Sequence, residues 1–241
     1  MRDLHALAGV FPVGVFLVVH ILTNARALSG QVAFDRAAGF WDALPVAWLV
    51  ELVLVLVPLA FHAGYGVVLM LRPRALADSP YPADWRIVVR GAAWVSLVFI
   101  AYHAYAMGMA KYGMGTGARS LHTAVAAHLS NASGSATGLL MPWTAIFYLV
   151  GLAATTTHFA AGTWSYLVRT KRTPTQQARR RAAFGMGAAG LVLFALASST
   201  VIGFATGSPL FPPVAEAAPC PLPPLPPASA ASPAPAPAPS H

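Results

Sequence analysis

Four histidines stand inside four separate, strongly apolar stretches of the chain: His20, His62, His103 and His158. Imidazole is a metal ligand and a proton carrier, and an ionisable group at membrane depth is costly unless something uses it. A single histidine of this kind is more often a polar contact between helices. Four of them, one to a helix, point to two metal centres with two imidazoles each, which is what two iron porphyrins gripped by paired imidazoles would need.

The elements that must carry these residues are membrane helices. Of 241 residues, 57% are apolar and only 9% charged, against about 25% charged in soluble domains, so the solvent must largely be lipid. The net charge of +8 would suggest a nucleic-acid partner in a soluble protein. Here basic cytoplasmic loops account for it, and no nucleic acid is expected. With Cys220 the single cysteine, there is no internal disulfide and no Cys-x-x-Cys-His attachment site, so any haem must be held non-covalently.

Five stretches are long and apolar enough to span: residues 6–23, 47–71, 87–109, 143–168 and 183–205. The expected fold is an all-α membrane protein, a five-helix transmembrane bundle over residues 1–207. A Pro/Ala-rich tail follows over 208–241, which cannot bury a core and is expected to be disordered. A short interfacial helix is expected around Ser120 to Leu129. Basic residues set the orientation. Arg2, Arg72, Arg74, Arg86, Arg90, Arg169, Lys171, Arg172 and Arg179 to Arg181 fall on one side, and only Arg26, Arg36, Lys111 and Arg119 on the other. The excess marks the cytoplasmic side, placing the N-terminus inside, the C-terminus outside and the protein in the cell inner (cytoplasmic) membrane. The opening run followed by Ala25-Arg26-Ala27 has features of a cleaved signal peptide. It is slightly too long, Arg2 is offset by Asp3, and cleavage would discard His20, so a retained first span is expected.

Position inside a span converts to depth. At about 1.5 Å per residue, His20 and His103 lie about 21 and 24 Å from the inner ends of their spans, and His62 and His158 about 14 and 15 Å. His62 therefore pairs with His158 as an inner couple, and His20 with His103 as an outer one. Zinc needs all its ligands within about 2.1 Å of one ion, and the two levels differ too much for that. Gly66 and Gly162, each four residues beyond a histidine on the same helix face, would leave room for a porphyrin edge. Of the remaining histidines, His5 sits at the inner interface, where it could orient a haem propionate or a quinone. His122 and His128 lie in the outer loop and His241 in the tail, where solvated or interfacial roles are expected.

The run Leu4-His5-Ala6-Leu7 and Gly9 to Gly14 leading to His20, the segment FDRAAGFWDALP with VELVLVLVPLAFHAGYG between Phe34 and Gly66, AYH at Ala101 to His103, and HFAAGTWSY at His158 to Tyr166 together resemble the di-haem cytochrome b subunit of Gram-positive-type succinate dehydrogenase. The resemblance covers the first four spans; the fifth matches mainly by hydropathy and the tail lies outside it. It implies a membrane anchor for flavoprotein and iron–sulfur subunits and two haem b groups. His62 and His158 would hold the haem nearer those partners, His20 and His103 the distal one. Electrons would pass from the iron–sulfur subunit through both haems to a quinone, menaquinone in this family, helped outward by about 2.3 kcal/mol per charge per 100 mV. Dicarboxylate chemistry would occur on the partners, since this chain has no dinucleotide fingerprint and no cysteine cluster. Related di-haem fumarate reductases carry a glutamate two residues before the fourth-span ligand; Thr156 stands there instead, which speaks against that proton path.

Quinone reduction also needs a proton donor near the distal haem. Glu51 is the acid placed within a span, and Asp35 and Asp42 precede it in the outer loop; Glu51 could equally be an interfacial carboxylate at a helix N-terminus. Arg90, and less so Arg86, could pair with propionates of the inner haem or simply anchor the cytoplasmic side. Two other readings stand beside this one. The same anchor could serve a quinol:fumarate reductase running in reverse, or the chain could be a haem-free anchor or transporter, although it shows no inverted repeat of the transporter kind.

Overall fold

The computed structural model describes residues 1–43, 45–72, 80–108, 120–130, 143–208 and 210. Among these all regular secondary structure is helical, with no strand, and five helices are long and apolar enough to cross a membrane: Arg2–Ser29, Ala47–Met70, Asp84–Gly108, Trp143–Arg169 and Gln176–Thr206. The expected tail, together with Cys220 and His241, lies outside the described residues.

The first span is built from α1 (Arg2–Val10), α2 (Pro12–Asn24) and a 3-10 turn, Ala25–Ser29. Its break falls at Phe11 because Pro12 offers no N–H and its ring presses on the carbonyl one turn back. Gly30, at φ 102°, lets the chain turn directly into α3 (Gln31–Asp42). This helix occupies the connection between the first two spans, where hydropathy alone predicts a loop. Its signal is the apolar pattern around Ala33 and Phe34, both of which are buried.

The second span joins α4 (Ala47–Glu51), a π turn over Leu52–Leu56 and α5 (Val57–Met70). Pro58 explains the wide turn. It cannot donate to the Leu54 carbonyl and crowds it, so the ladder slips and the Val57 N–H reaches Leu52 instead. α6 (Ala83–Gly108) opens with Asp84 in its first turn, where the helix dipole favours an acid. α7 (Leu121–Leu129) is the short helix expected near Ser120, whose hydroxyl caps it by accepting from Thr123 N–H at 3.1 Å. α8 (Trp143–Arg169) and α9 (Gln176–Thr206) complete the bundle. α9 starts seven residues before its apolar run. Thr175 caps it, Gln176 to Arg181 are good helix formers, and Gly207 in the left-handed region ends it.

α8 is the hub. It packs against α9, α6 and α1. Gly151 receives the Phe99 ring of α6, and Gly190 of α9 comes within 3.2 Å of the Thr156 carbonyl as measured from an ideal Cβ. Small residues let membrane helices approach in this way. The core lies at the end carrying α3 and α7, where Phe34, Phe99, Val125, Leu129, Tyr148 and Phe204 pack together. The opposite end holds the arginine-rich turn between α8 and α9. The second span sits at the periphery, packed mainly on α1 and α2, with none of its apolar stretch buried. Its outward Val53, Leu54 and Val57 suit lipid.

Candidate histidine centres

His62 on α5 and His158 on α8 face one another with ring centroids 6.0 Å apart and planes at 65°. His62 is held from three directions. Its Nδ1 meets the carbonyl oxygen of His5 at 3.0 Å. A carbonyl only accepts, so Nδ1 carries the proton and Nε2 keeps its lone pair for a metal. The His5 ring lies flat on it, 4.2 Å away at 6°. On the remaining side α1 passes so closely that a Cβ on Gly9 would run into the imidazole. His158 Nδ1 is buried with no partner among the described residues.

His20 on α2 and His103 on α6 form a second couple toward the α3/α7 end, with centroids 5.7 Å apart at 75°. Phe16 lies on the first ring at 5.2 Å and Phe99 on the second at 5.7 Å. His103 Nδ1 contacts the Tyr148 hydroxyl at 3.3 Å, and that hydroxyl contacts His128 Nε2 on α7 at 3.5 Å. His20 Nε2 meets the amide of Asn24 at 3.3 Å, while the same amide donates to the His20 carbonyl at 2.8 Å. A metal bound through that nitrogen would take the place of the Asn24 contact. Glu51, at the end of α4, is near enough for its charge to act on His20.

The donor set can be tested against an iron porphyrin. Two imidazoles on one metal, with bonds of about 2.0–2.1 Å and ring centres about 1.1 Å behind the nitrogens, have centroids about 6.2–6.4 Å apart. The two couples, at 6.0 and 5.7 Å, are within an ångström of that. Among the described residues no group of three or more His, Cys, Asp or Glu could hold a metal ion. Two imidazoles would leave the other positions on a metal to further donors, and a porphyrin's four nitrogens would fit that requirement. Beside His158, a Cβ on Gly162 would meet nothing within 4 Å, so space is available there. Gly66 does not open the corresponding space beside His62, because the His5 ring stands 3.2 Å from its ideal Cβ.

The other residues singled out in the sequence are dispersed. Asp35 accepts the His122 N–H at 3.1 Å in the first turn of α7. The Asp42 side chain lies outside the described residues. Arg90 donates to the Met70 carbonyl at 2.8 Å, satisfying the C-terminus of α5. Thr156 bonds back to the Leu152 carbonyl at 2.9 Å. Tyr148, Asn24 and the stacked ring of His5 are contacts that sequence reasoning missed, since their spacing along the chain carries no signal. Tyr81 is another. Its hydroxyl donates to the Ala161 carbonyl, one turn beyond His158, and burial raises its pKa. Burial also lowers the pKa of His128, leaving its imidazole neutral at pH 7.

Compared with known proteins, the chain is 33% identical over 184 residues, 74% of this chain and 83% of the relative, to the succinate dehydrogenase cytochrome b558 subunit of Bacillus subtilis (strain 168). No protein-family model matches it, and no solved structure does.

Proposed function

As this chain belongs to the succinate dehydrogenase cytochrome b subunits and is a multi-pass membrane protein, we propose that it anchors a succinate:quinone oxidoreductase and binds two b-haems. These would carry electrons one at a time from the partner iron–sulfur subunit to a quinone, menaquinone by resemblance. Succinate chemistry belongs to the partner flavoprotein. The observation that carries this reading is the pairing of four imidazoles from four spans into two couples at 6.0 and 5.7 Å.

Each residue has a defined task. His62 and His158 would hold the haem nearer the arginine-rich end, the end that would face the cytoplasm and the partner subunits. The His5 carbonyl keeps Nδ1 of His62 protonated and so aims Nε2 at the iron. His20 and His103 would hold the second haem, toward the outer surface. With two imidazoles holding each haem, the groups would supply one-electron transfer and not oxygen binding. Arg90 spends one N–H on Met70 and keeps others for a propionate of the inner haem. Glu51, the acid within the second span, would be the proton donor to a quinone beside the outer haem. Asp35 serves the N-terminus of α7.

The test is a reduced-minus-oxidised spectrum of the purified complex with a redox titration. Two low-spin b-type components are expected. His62→Ala or His158→Ala should remove one, and His20→Ala or His103→Ala the other. A haem-free complex, or loss of the same component in all four variants, overturns the reading. Glu51→Gln should slow quinone reduction by about 10²-fold or more, the usual contribution of a general acid, with both haem spectra intact.

A further inference from the structure

Tyr148 is 5% exposed, in the core beneath α7. A phenol buried this deeply needs a partner for its O–H. Among the described residues, the polar contacts of its hydroxyl are two imidazole nitrogens, His103 Nδ1 at 3.3 Å and His128 Nε2 at 3.5 Å. Both distances are at the long end for hydrogen bonds. The rings around it set its direction. His103 and His128 both meet it edge-on, at 5.6 and 5.8 Å, and Phe99 does so at 5.2 Å.

We propose that Tyr148 is a positioning residue for the outer haem, linking the ligand His103 to His128 on α7 through one hydrogen-bonded line. The inference rests on His103 being a haem ligand. If iron takes Nε2, Nδ1 must carry the proton, so it donates and the phenol oxygen accepts. The phenol proton is then free for His128 Nε2, a neutral imidazole that accepts it. The direction of the line follows from the metal bond alone. An acceptor on Nδ1–H makes an imidazole a stronger donor to iron, which favours the oxidised centre and lowers its potential. The two centres differ in this respect. His62 leans on a backbone carbonyl, which no side-chain change removes, whereas His103 leans on a side chain that reaches a half-exposed helix.

The experiment is a potentiometric titration of the intact membrane complex, read by difference spectra and by the low-spin ferric signals in electron paramagnetic resonance. Tyr148→Phe keeps the ring and its edge contacts and removes only the hydroxyl. Both haems should remain, with the outer component shifted to higher potential, its ferric signal displaced and the inner component unmoved. His128→Ala should shift the outer component the same way by less, and His128→Gln, whose amide oxygen accepts, should restore it. An outer component unmoved in Tyr148→Phe, or both components moving together, overturns the proposal. If Tyr148→Phe does not assemble, an unmoved outer component in His128→Ala overturns it. Failure of the underlying reading looks different: His103→Ala would keep both haem components.

Discussion

The imidazole of His62 is confined by a carbonyl at 3.0 Å, a flat ring at 4.2 Å and the bare backbone of Gly9. Such confinement makes the position of Gly9 sensitive to a single methyl group. Gly9→Val should push α1 off α5 and abolish the b-type component that depends on His62. Gly64→Ala on the same helix as His62 meets nothing within 4 Å and should leave both components unchanged. The comparison is read directly in difference spectra, and equal spectra for both variants would contradict the tight fit. At this scale the four membrane histidines are legible in sequence, because lipid makes an ionisable side chain conspicuous wherever it occurs. Their supports are not. Tyr148 is an aromatic among apolar neighbours, and nothing about its position in the chain says that it meets His103 from another helix. His5, expected at the inner interface, stacks on His62, a contact that its own helix gives no sign of.

Among the elements, α7 and α3 form a cap over one end of the bundle. Gln31 donates to the Ser120 hydroxyl at 2.9 Å and Asp35 accepts from His122 N–H at 3.1 Å, while the His122 ring packs between Phe34 and Phe204. Ser120 closes the N-terminus of α7, and losing such a cap costs about 0.5–2 kcal/mol. Ser120→Ala and Asp35→Ala should each lower the thermal unfolding midpoint of the purified complex while both haem components survive. Unchanged midpoints in both would show that the cap contributes nothing. The spans themselves are legible from hydropathy, yet their ends are not. Gln176 to Arg181 extend α9 well past its apolar run, since helix propensity and a threonine cap act regardless of lipid. The helix α3 escapes a hydropathy reading because its apolar face is short and covers a core that only the folded chain creates.

For the whole molecule, the asymmetry of charge predicts how it sits in the bilayer. Basic residues gather at the turn between α8 and α9, and Asp3 reaches across to Arg169 at 2.5 Å. With Asp3 87% exposed, that ion pair is worth only about 0–1 kcal/mol, and Asp3→Asn should leave the unfolding midpoint unmoved. Orientation is a separate prediction. Reporters joined before Arg2 should lie in the cytoplasm and reporters joined after Thr206 outside it, and the opposite pattern would refute the positive-inside assignment. Composition and periodicity suffice to determine a lipid-dissolved, five-span helical protein with a histidine inside four of its spans, because both follow from how each segment partitions by itself. Which rings meet, which nitrogen carries a proton and which polar group stands behind each histidine are decided only by tertiary packing. These depend on angles and contacts between helices distant in the chain, and no local pattern of residues encodes them.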